Sequence, residues 1–116
     1  MEETMFELDK NNFEPEVSLY KLKPVFVDFW SDGCEACKEL MPGVEKLAEK
    51  YQAQMKFCSL NIKGARRLAI SHKVMGLPAM IIYQDGEILA RLLPDEIDED
   101  IDNVENFIVK TLESAK

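Results

Sequence analysis

The sequence is poor in the residues from which several common kinds of site are made. It holds three cysteines, one histidine and one tryptophan in 116 residues. Three cysteines cannot form the disulfide framework that staples small secreted domains. Tetrahedral zinc takes four ligands, and beyond Cys34 and Cys37 the chain offers only Cys58 and His72, with no second Cys-x-x-Cys. Positive charge is scarce as well. Lys and Arg number 14 against 22 Asp and Glu, a formal charge of −8, which argues against a nucleic-acid or anionic-membrane partner because phosphate neutralisation needs clustered cations. No apolar run approaches the roughly 20 residues of a membrane span. No glycine-rich dinucleotide fingerprint is present, so the chain is expected to bind no cofactor of its own.

What the sequence does hold is enough apolar material, 47% of residues, to bury one core without staples. A single domain over residues 1–116 is expected. The segment Met1-Glu2-Glu3-Thr4-Met5 is acidic where a signal peptide is basic, and a cytoplasmic location follows as an expectation. In a reducing compartment a close cysteine pair is more often catalytic or metal-binding than structural. That directs attention to Cys34 and Cys37.

Hydrophobic patterning organises the chain around that pair. Met5 to Leu8 is a candidate first strand, and the Asp9-Lys10-Asn11-Asn12 cluster is a turn into a short helix with Pro15 in its first turn. Val25 to Trp30 is almost continuously apolar, as a strand covered on both faces would be, with Asp28 as its anomaly. Ser31-Asp32-Gly33 breaks the strand, and Cys37, Leu40, Met41, Val44, Leu47, Ala48 and Tyr51 then recur at helical spacing. Met55 to Asn61 is expected as a strand and Lys63 to Lys73 as a helix. Ala79 to Tyr83 and Glu87 to Leu92 flank Gln84-Asp85-Gly86, a strong hairpin signal. Pro94 and the acidic run Asp95 to Asp100 are expected as a loop, and Ile101, Val104, Phe107, Ile108 and Leu112 form the stripe of a last helix. The fold class is therefore α/β, with a mixed sheet covered by helices on both faces.

The cysteines fall at a strand-to-helix junction, three residues apart, so their sulfurs share one face and can bridge or part. Cys34 sits where unpaired N–H groups and the positive end of the helix dipole stabilise a thiolate, and is the expected nucleophile. Cys37 is then the resolving thiol, closing the cycle of attack, mixed disulfide and release. A zinc half-site is the alternative for the pair. An aspartate among apolar strand residues is costly to ionise, so Asp28 is expected to have a raised pKa and to serve as general base toward Cys37, or else to be satisfied by a local hydrogen bond. Trp30 is a candidate wall of the site or an ordinary core residue. Cys58 is expected to be an inert buried thiol, His72 a surface helix residue, and Pro42 a bend in the long helix.

The run Val25-Phe26-Val27-Asp28-Phe29-Trp30-Ser31-Asp32-Gly33-Cys34-Glu35-Ala36-Cys37-Lys38 resembles the active-site strand, loop and helix start of the thioredoxin family. Pro42 stands where that family carries a kinking proline, and Val74-Met75-Gly76-Leu77-Pro78 is similar to its segment ending in a cis-proline. The resemblance spans nearly the whole chain. It implies a five-stranded mixed sheet flanked by four helices and a thiol–disulfide oxidoreductase that reduces protein disulfides. It also implies proton transfer through Asp28, and a substrate surface made by Trp30, Gly33, Gly76, Leu77 and Pro78. The implied partners are a flavin-dependent thioredoxin reductase, which binds the nicotinamide and flavin itself, and disulfide-containing proteins met by a monomer.

The chain departs from the family pattern at identifiable points. Glu35-Ala36 replaces Gly-Pro between the cysteines, and Gly33 replaces the usual tryptophan before the first. Ser59 stands where many members have a lysine, Ala79 replaces the threonine after the proline, and Pro94 occupies the approximate place of a glycine. The variant dipeptide resembles those in thioredoxins of amino-acid-fermenting anaerobes, some of which serve glycine-reductase-type systems. A carboxylate beside Cys34 repels its thiolate and favours a stronger reductant, while its position at a helix N-terminus opposes that effect. Two other functions stay open on the residues alone: a redox-sensing module that docks a dedicated partner without turnover, and an oxidase or isomerase.

Overall fold

A computed structural model describes residues 4–114; Met1, Glu2 and Glu3, on which the signal-peptide argument leans, lie outside them. Five strands, β1 (Met5–Leu8), β2 (Val25–Trp30), β3 (Lys56–Asn61), β4 (Ala79–Gln84) and β5 (Glu87–Leu92), form one sheet in the order β1-β3-β2-β4-β5. β1 and β2 run parallel to β3, and β4 runs antiparallel to β2 and β5. β2 therefore has neighbours on both sides, and Val25 through Phe29 are all buried.

The alternation of side chains across β2 divides the core. Phe26 joins Phe57, Met80 and Ile82 with Leu40, Val44 and Leu47 of helix α1 (Glu35–Tyr51) and Val104, Phe107 and Ile108 of helix α4 (Ile101–Ser114). Val25, Val27 and Phe29 join Cys58, Leu60, Ile81 and Tyr83 on the other face, with Phe13, Val17, Ala65 and Ala69. Val17 lies on a one-turn helix at Glu14–Ser18, which opens with Pro15 as expected, and Ala69 on helix α2 (Arg66–Ser71). Both faces of the sheet are thus covered.

The two helices on the first face are tied closely. A Cβ at Gly43 would lie 2.8 Å from Ile101 Cγ1, so glycine lets α1 and α4 meet there. At the far end of α1, Glu105 accepts hydrogen bonds from Lys50 Nζ and the Tyr51 hydroxyl, each at 2.6 Å. α1 continues through Pro42 as one element.

Three expectations need correction. The segment Pro94–Ile97 is a helical turn, α3, rather than a loop, giving the chain a further helical element beyond the expected four. Proline fits the first helical position, and the Glu96 carboxylate accepts the Leu93 N–H at 2.9 Å, so this acidic stretch carries its own cap. α2 is shorter than Lys63 to Lys73, because Gly64 takes φ +84° before it and Lys73 takes φ +62° after it. His72 is half-buried rather than a surface helix residue. Its Nδ1 shares a 2.8 Å hydrogen bond with the Tyr83 hydroxyl, its ring packs edge-on to Phe13, and Arg91 Nη1 donates to its carbonyl at 2.8 Å. Burial, with the Arg91 charge second, holds His72 below the usual histidine range.

The β4–β5 hairpin turns on Asp85 (φ +54°) and Gly86 (φ +82°), the pair of left-handed residues that a two-residue turn requires. A Cβ on Gly86 would lie 2.6 Å from the Ser18 carbonyl oxygen, whereas one on Gly64 would meet open space. Gly86→Ala should therefore destabilise by about 2–4 kcal/mol and Gly64→Ala by only about 1 kcal/mol. Denaturant unfolding of the two variants checks this, and equal losses would refute the contact with Ser18 as the cause.

Candidate active site

β2 ends at Trp30 on one end of the sheet, and the chain must reverse before α1 can pack on the face just described. The Ser31 carbonyl accepts the Cys34 N–H at 3.1 Å, which closes the turn over Asp32 and Gly33. Cys34 has extended backbone (φ −97°, ψ 100°) and stands as the N-cap of α1. Its Sγ lies 3.1 Å from the Cys37 backbone nitrogen, accepting that N–H as a serine or aspartate oxygen does at other helix starts. Cys34 and Cys37 form a disulfide with their Cα atoms 5.3 Å apart.

The two sulfurs differ in access. Cys37 is 1% exposed, whereas Cys34 is partly open to solvent. An incoming group therefore meets Cys34 first. Glu35 extends away from the pair: its side chain is 80% exposed, and Lys38 Nζ lies 3.4 Å from its carboxylate. Water and that ammonium group screen the carboxylate, so its repulsion of a Cys34 thiolate is weaker than its neighbouring position in sequence implies.

Asp28 lies deep under the site. It faces the side of the sheet covered by α1, with Ser59 beside it on β3 and Met80 beside it on β4. The carboxyl is 2% exposed, and its Oδ1 has no hydrogen-bond partner among the described residues. Burial pushes its pKa up to about 8. Cys37 is buried on the first turn of the helix above that face. The short Ser59 side chain leaves no cation beside Asp28 on β3.

The other walls come from the loop that precedes β4. Phe29 pairs with Ala79, so Trp30 and Pro78 lie at the same end of adjacent strands. The Leu77–Pro78 bond is cis. Pro78 is buried, Leu77 half-buried, and Trp30 partly exposed. A Cβ on Gly76 would touch Pro94 Cγ at 3.4 Å, while Gly33 has open space around it. Cys58 lies on the opposite face of the sheet, where burial pushes its thiol up to about 12. Among the described residues no three His, Cys, Asp or Glu side chains gather as a metal site requires.

Two groupings were not singled out from sequence. One is the His72, Tyr83 and Arg91 cluster at the root of the loop leading to Pro78. The other is the approach of Ile62 to the site, its N–H donating to the Trp30 carbonyl at 2.9 Å. Neither has a local sequence signature, because each depends on chain segments brought together by the sheet.

Comparison with known proteins agrees with this geometry. The thioredoxin family model matches residues 4–108. The thioredoxin of Acetoanaerobium sticklandii is 47% identical over 106 residues, which covers 91% of this chain and 98% of that protein. The thioredoxin of Peptoclostridium acidaminophilum is 42% identical over 110 residues, 95% and 97% of the two chains. Thioredoxin C-2 of Corynebacterium nephridii is 30% identical over 78% of this chain and 83% of its own.

The state of Asp28 has a signed consequence for stability. Its folded pKa of about 8 lies above the ordinary 3.8. Its contribution is therefore fully present below about pH 4 and is lost as pH rises through about 8. The loss is up to roughly 5 kcal/mol. Asp28→Asn, which cannot ionise, should be more stable than the parent at about pH 9 and differ little near pH 4. Denaturant midpoints of both disulfide-intact proteins across this range provide the check; a difference independent of pH would exclude a buried, unpaired carboxyl.

Proposed function

This chain belongs to the thioredoxin family and is a thiol–disulfide oxidoreductase; on that premise we propose that it reduces protein disulfides, with Cys34 as nucleophile and Cys37 as resolving thiol. The observation that carries the assignment is the unequal placement of the bridged sulfurs. One is accessible and caps a helix, and the other is buried a turn away.

In the dithiol form the Cys34 sulfur lies over the free N–H groups that begin α1, which favours its thiolate. That thiolate attacks one sulfur of a substrate disulfide, and the other substrate sulfur leaves with the bonding electron pair. Asp28, in its carboxylate form, then takes the Cys37 proton; burial, which pushes its pKa up to about 8, makes it a stronger base than an exposed aspartate. The Cys37 thiolate attacks Cys34 Sγ and releases the second substrate thiolate. Two electrons have passed to the substrate, and the chain holds the Cys34–Cys37 disulfide.

Trp30, Gly33, Gly76, Leu77 and Pro78 form the surface that receives the substrate segment in this reading. Gly33 leaves space around it, and Leu77 and Pro78 lie in the loop before β4, at the same end of the sheet as Trp30. The oxidised form must be recharged, and thioredoxin reductase is the proposed electron donor, which makes nicotinamide and flavin properties of the partner. The same reading has the protein acting as a single-domain monomer in the cytoplasm, where the reducing environment suits such a cycle. No described helix is long and apolar enough to cross a membrane.

Catalytic reduction of a model protein disulfide, driven by excess chemical dithiol, tests the assignment. Cys34→Ser should abolish the enhancement. Pre-reduced Cys37→Ser, assayed without added dithiol, should stop after one equivalent and accumulate a mixed disulfide at Cys34, visible by mass spectrometry as a reducible adduct. Adduct formation at Cys37 in the Cys34→Ser protein, with turnover retained, would reverse the roles.

A further inference from the structure

The cluster of His72, Tyr83 and Arg91 takes no part in the cysteine chemistry, yet it stands at the root of the segment that leads to Pro78. Helix α2 ends at Ser71, and the chain leaves it through Lys73 at φ +62°. The Lys73 and Val74 N–H groups donate back to the Ile70 and Ala69 carbonyls, each at 2.9 Å. Glycine ordinarily takes this left-handed exit. With lysine in its place the backbone is strained, and such a conformation persists only where its surroundings hold it. His72, the residue before the exit, is held through both backbone and ring. Its carbonyl accepts Arg91 Nη1 from β5, and its Nδ1 shares a hydrogen bond with the Tyr83 hydroxyl of β4, both at 2.8 Å. The ring packs edge-on to Phe13 and Tyr83, with centroids 5.0 and 5.6 Å apart.

Beyond this anchor the segment has little structure of its own. Val74 is buried, but Met75, Gly76 and Leu77 make no main-chain hydrogen bond among the described residues. The positions of Leu77 and Pro78 are therefore set from two ends, β4 and His72. Tyr83 is 2% exposed, and burial pushes its pKa up, so the phenol keeps its proton. The hydroxyl then donates and Nδ1 accepts, which assigns the proton of the neutral ring to Nε2. Protonating the ring reverses that hydrogen bond. Nδ1 becomes a donor, and the buried Tyr83 hydroxyl proton loses its acceptor. The packing around the ring offers no compensation. Phe13 and Tyr83 are uncharged, α2 carries no acidic residue, and the Arg91 guanidinium opposes a second positive charge.

Resting on the reductase reading above, we propose that His72 is a positioning residue for the substrate-facing residues 75–78, holding them through a neutral ring that accepts the Tyr83 hydroxyl. The hold is complete near neutral pH and weakens as pH falls below the ordinary histidine value of about 6.5. A protein disulfide, which lies along Gly76, Leu77 and Pro78 in that reading, is sensitive to the loss. A small disulfide that meets only Cys34 is not.

The test compares the unmodified protein with His72→Asn, whose side-chain oxygen can accept in place of Nδ1 and cannot be protonated. Each reduces a model protein disulfide and a small uncharged disulfide between about pH 5 and pH 8. The ratio of the two kcat/KM values is followed, so that ionisation of the cysteines and Asp28 divides out. In the unmodified protein the ratio should fall about 2- to 10-fold toward pH 5, the effect of one lost hydrogen bond, and the change should lie in KM. In His72→Asn the ratio should keep its neutral-pH value. Parallel profiles in the two proteins would overturn the proposal. Magnetic resonance of the disulfide form supplies a readout that needs neither turnover nor a variant. The chain has one histidine, and the amide signals of Met75, Gly76 and Leu77 should shift with the midpoint of its ring titration; amides indifferent to that titration would also overturn the proposal. If neither disulfide is reduced, the reductase reading fails and the resonance titration still judges the anchor. If both are reduced with parallel profiles, only this inference fails.

Discussion

The site depends on a sulfur doing what an oxygen usually does. A helix that begins at Glu35 leaves backbone N–H groups without partners, and Cys34 Sγ accepts one of them, that of Cys37, at 3.1 Å. The cap places the first cysteine at the surface end of the helix. The amphipathic spacing of α1 then turns Cys37 inward with Leu40, Val44 and Leu47. Neither sulfur needs a special scaffold beyond that. The asymmetry between an accessible and a buried sulfur follows from helix geometry and burial.

Everything around this junction adjusts its electrostatics. Asp28 is held in an apolar layer without a partner for Oδ1, and the folded protein therefore keeps it protonated at pH values where an exposed aspartate is charged. Glu35, by contrast, carries its charge into water and beside Lys38. Two carboxylates close in sequence to the cysteines thus sit in opposite environments. The buried one has its pKa pushed up to about 8, and the exposed one lies at the surface.

The sequence exposed those features that arise from local chemistry. The β2 strand, the turn before Cys34, the α1 stripe and the Asp85-Gly86 hairpin all have short-range signatures, and each stands where expected. Pro94–Ile97 did not, because an acidic run suggests a loop unless Pro94 and Glu96 are weighed together as a helix start. His72 was misjudged for a different reason. Its neighbours Phe13, Tyr83 and Arg91 come from other elements, so its burial depends on the folded sheet.

The attachment of α1 to α4 has a mechanical corollary. Gly43 rests on Ile101 at mid-helix, and Lys50 and Tyr51 share Glu105 at the far end. The active-site helix is a beam clamped at its middle and tail, with its first two turns ahead of the clamp. The disulfide therefore sits at the unclamped end of a helix that is fastened to α4 along the rest of its length.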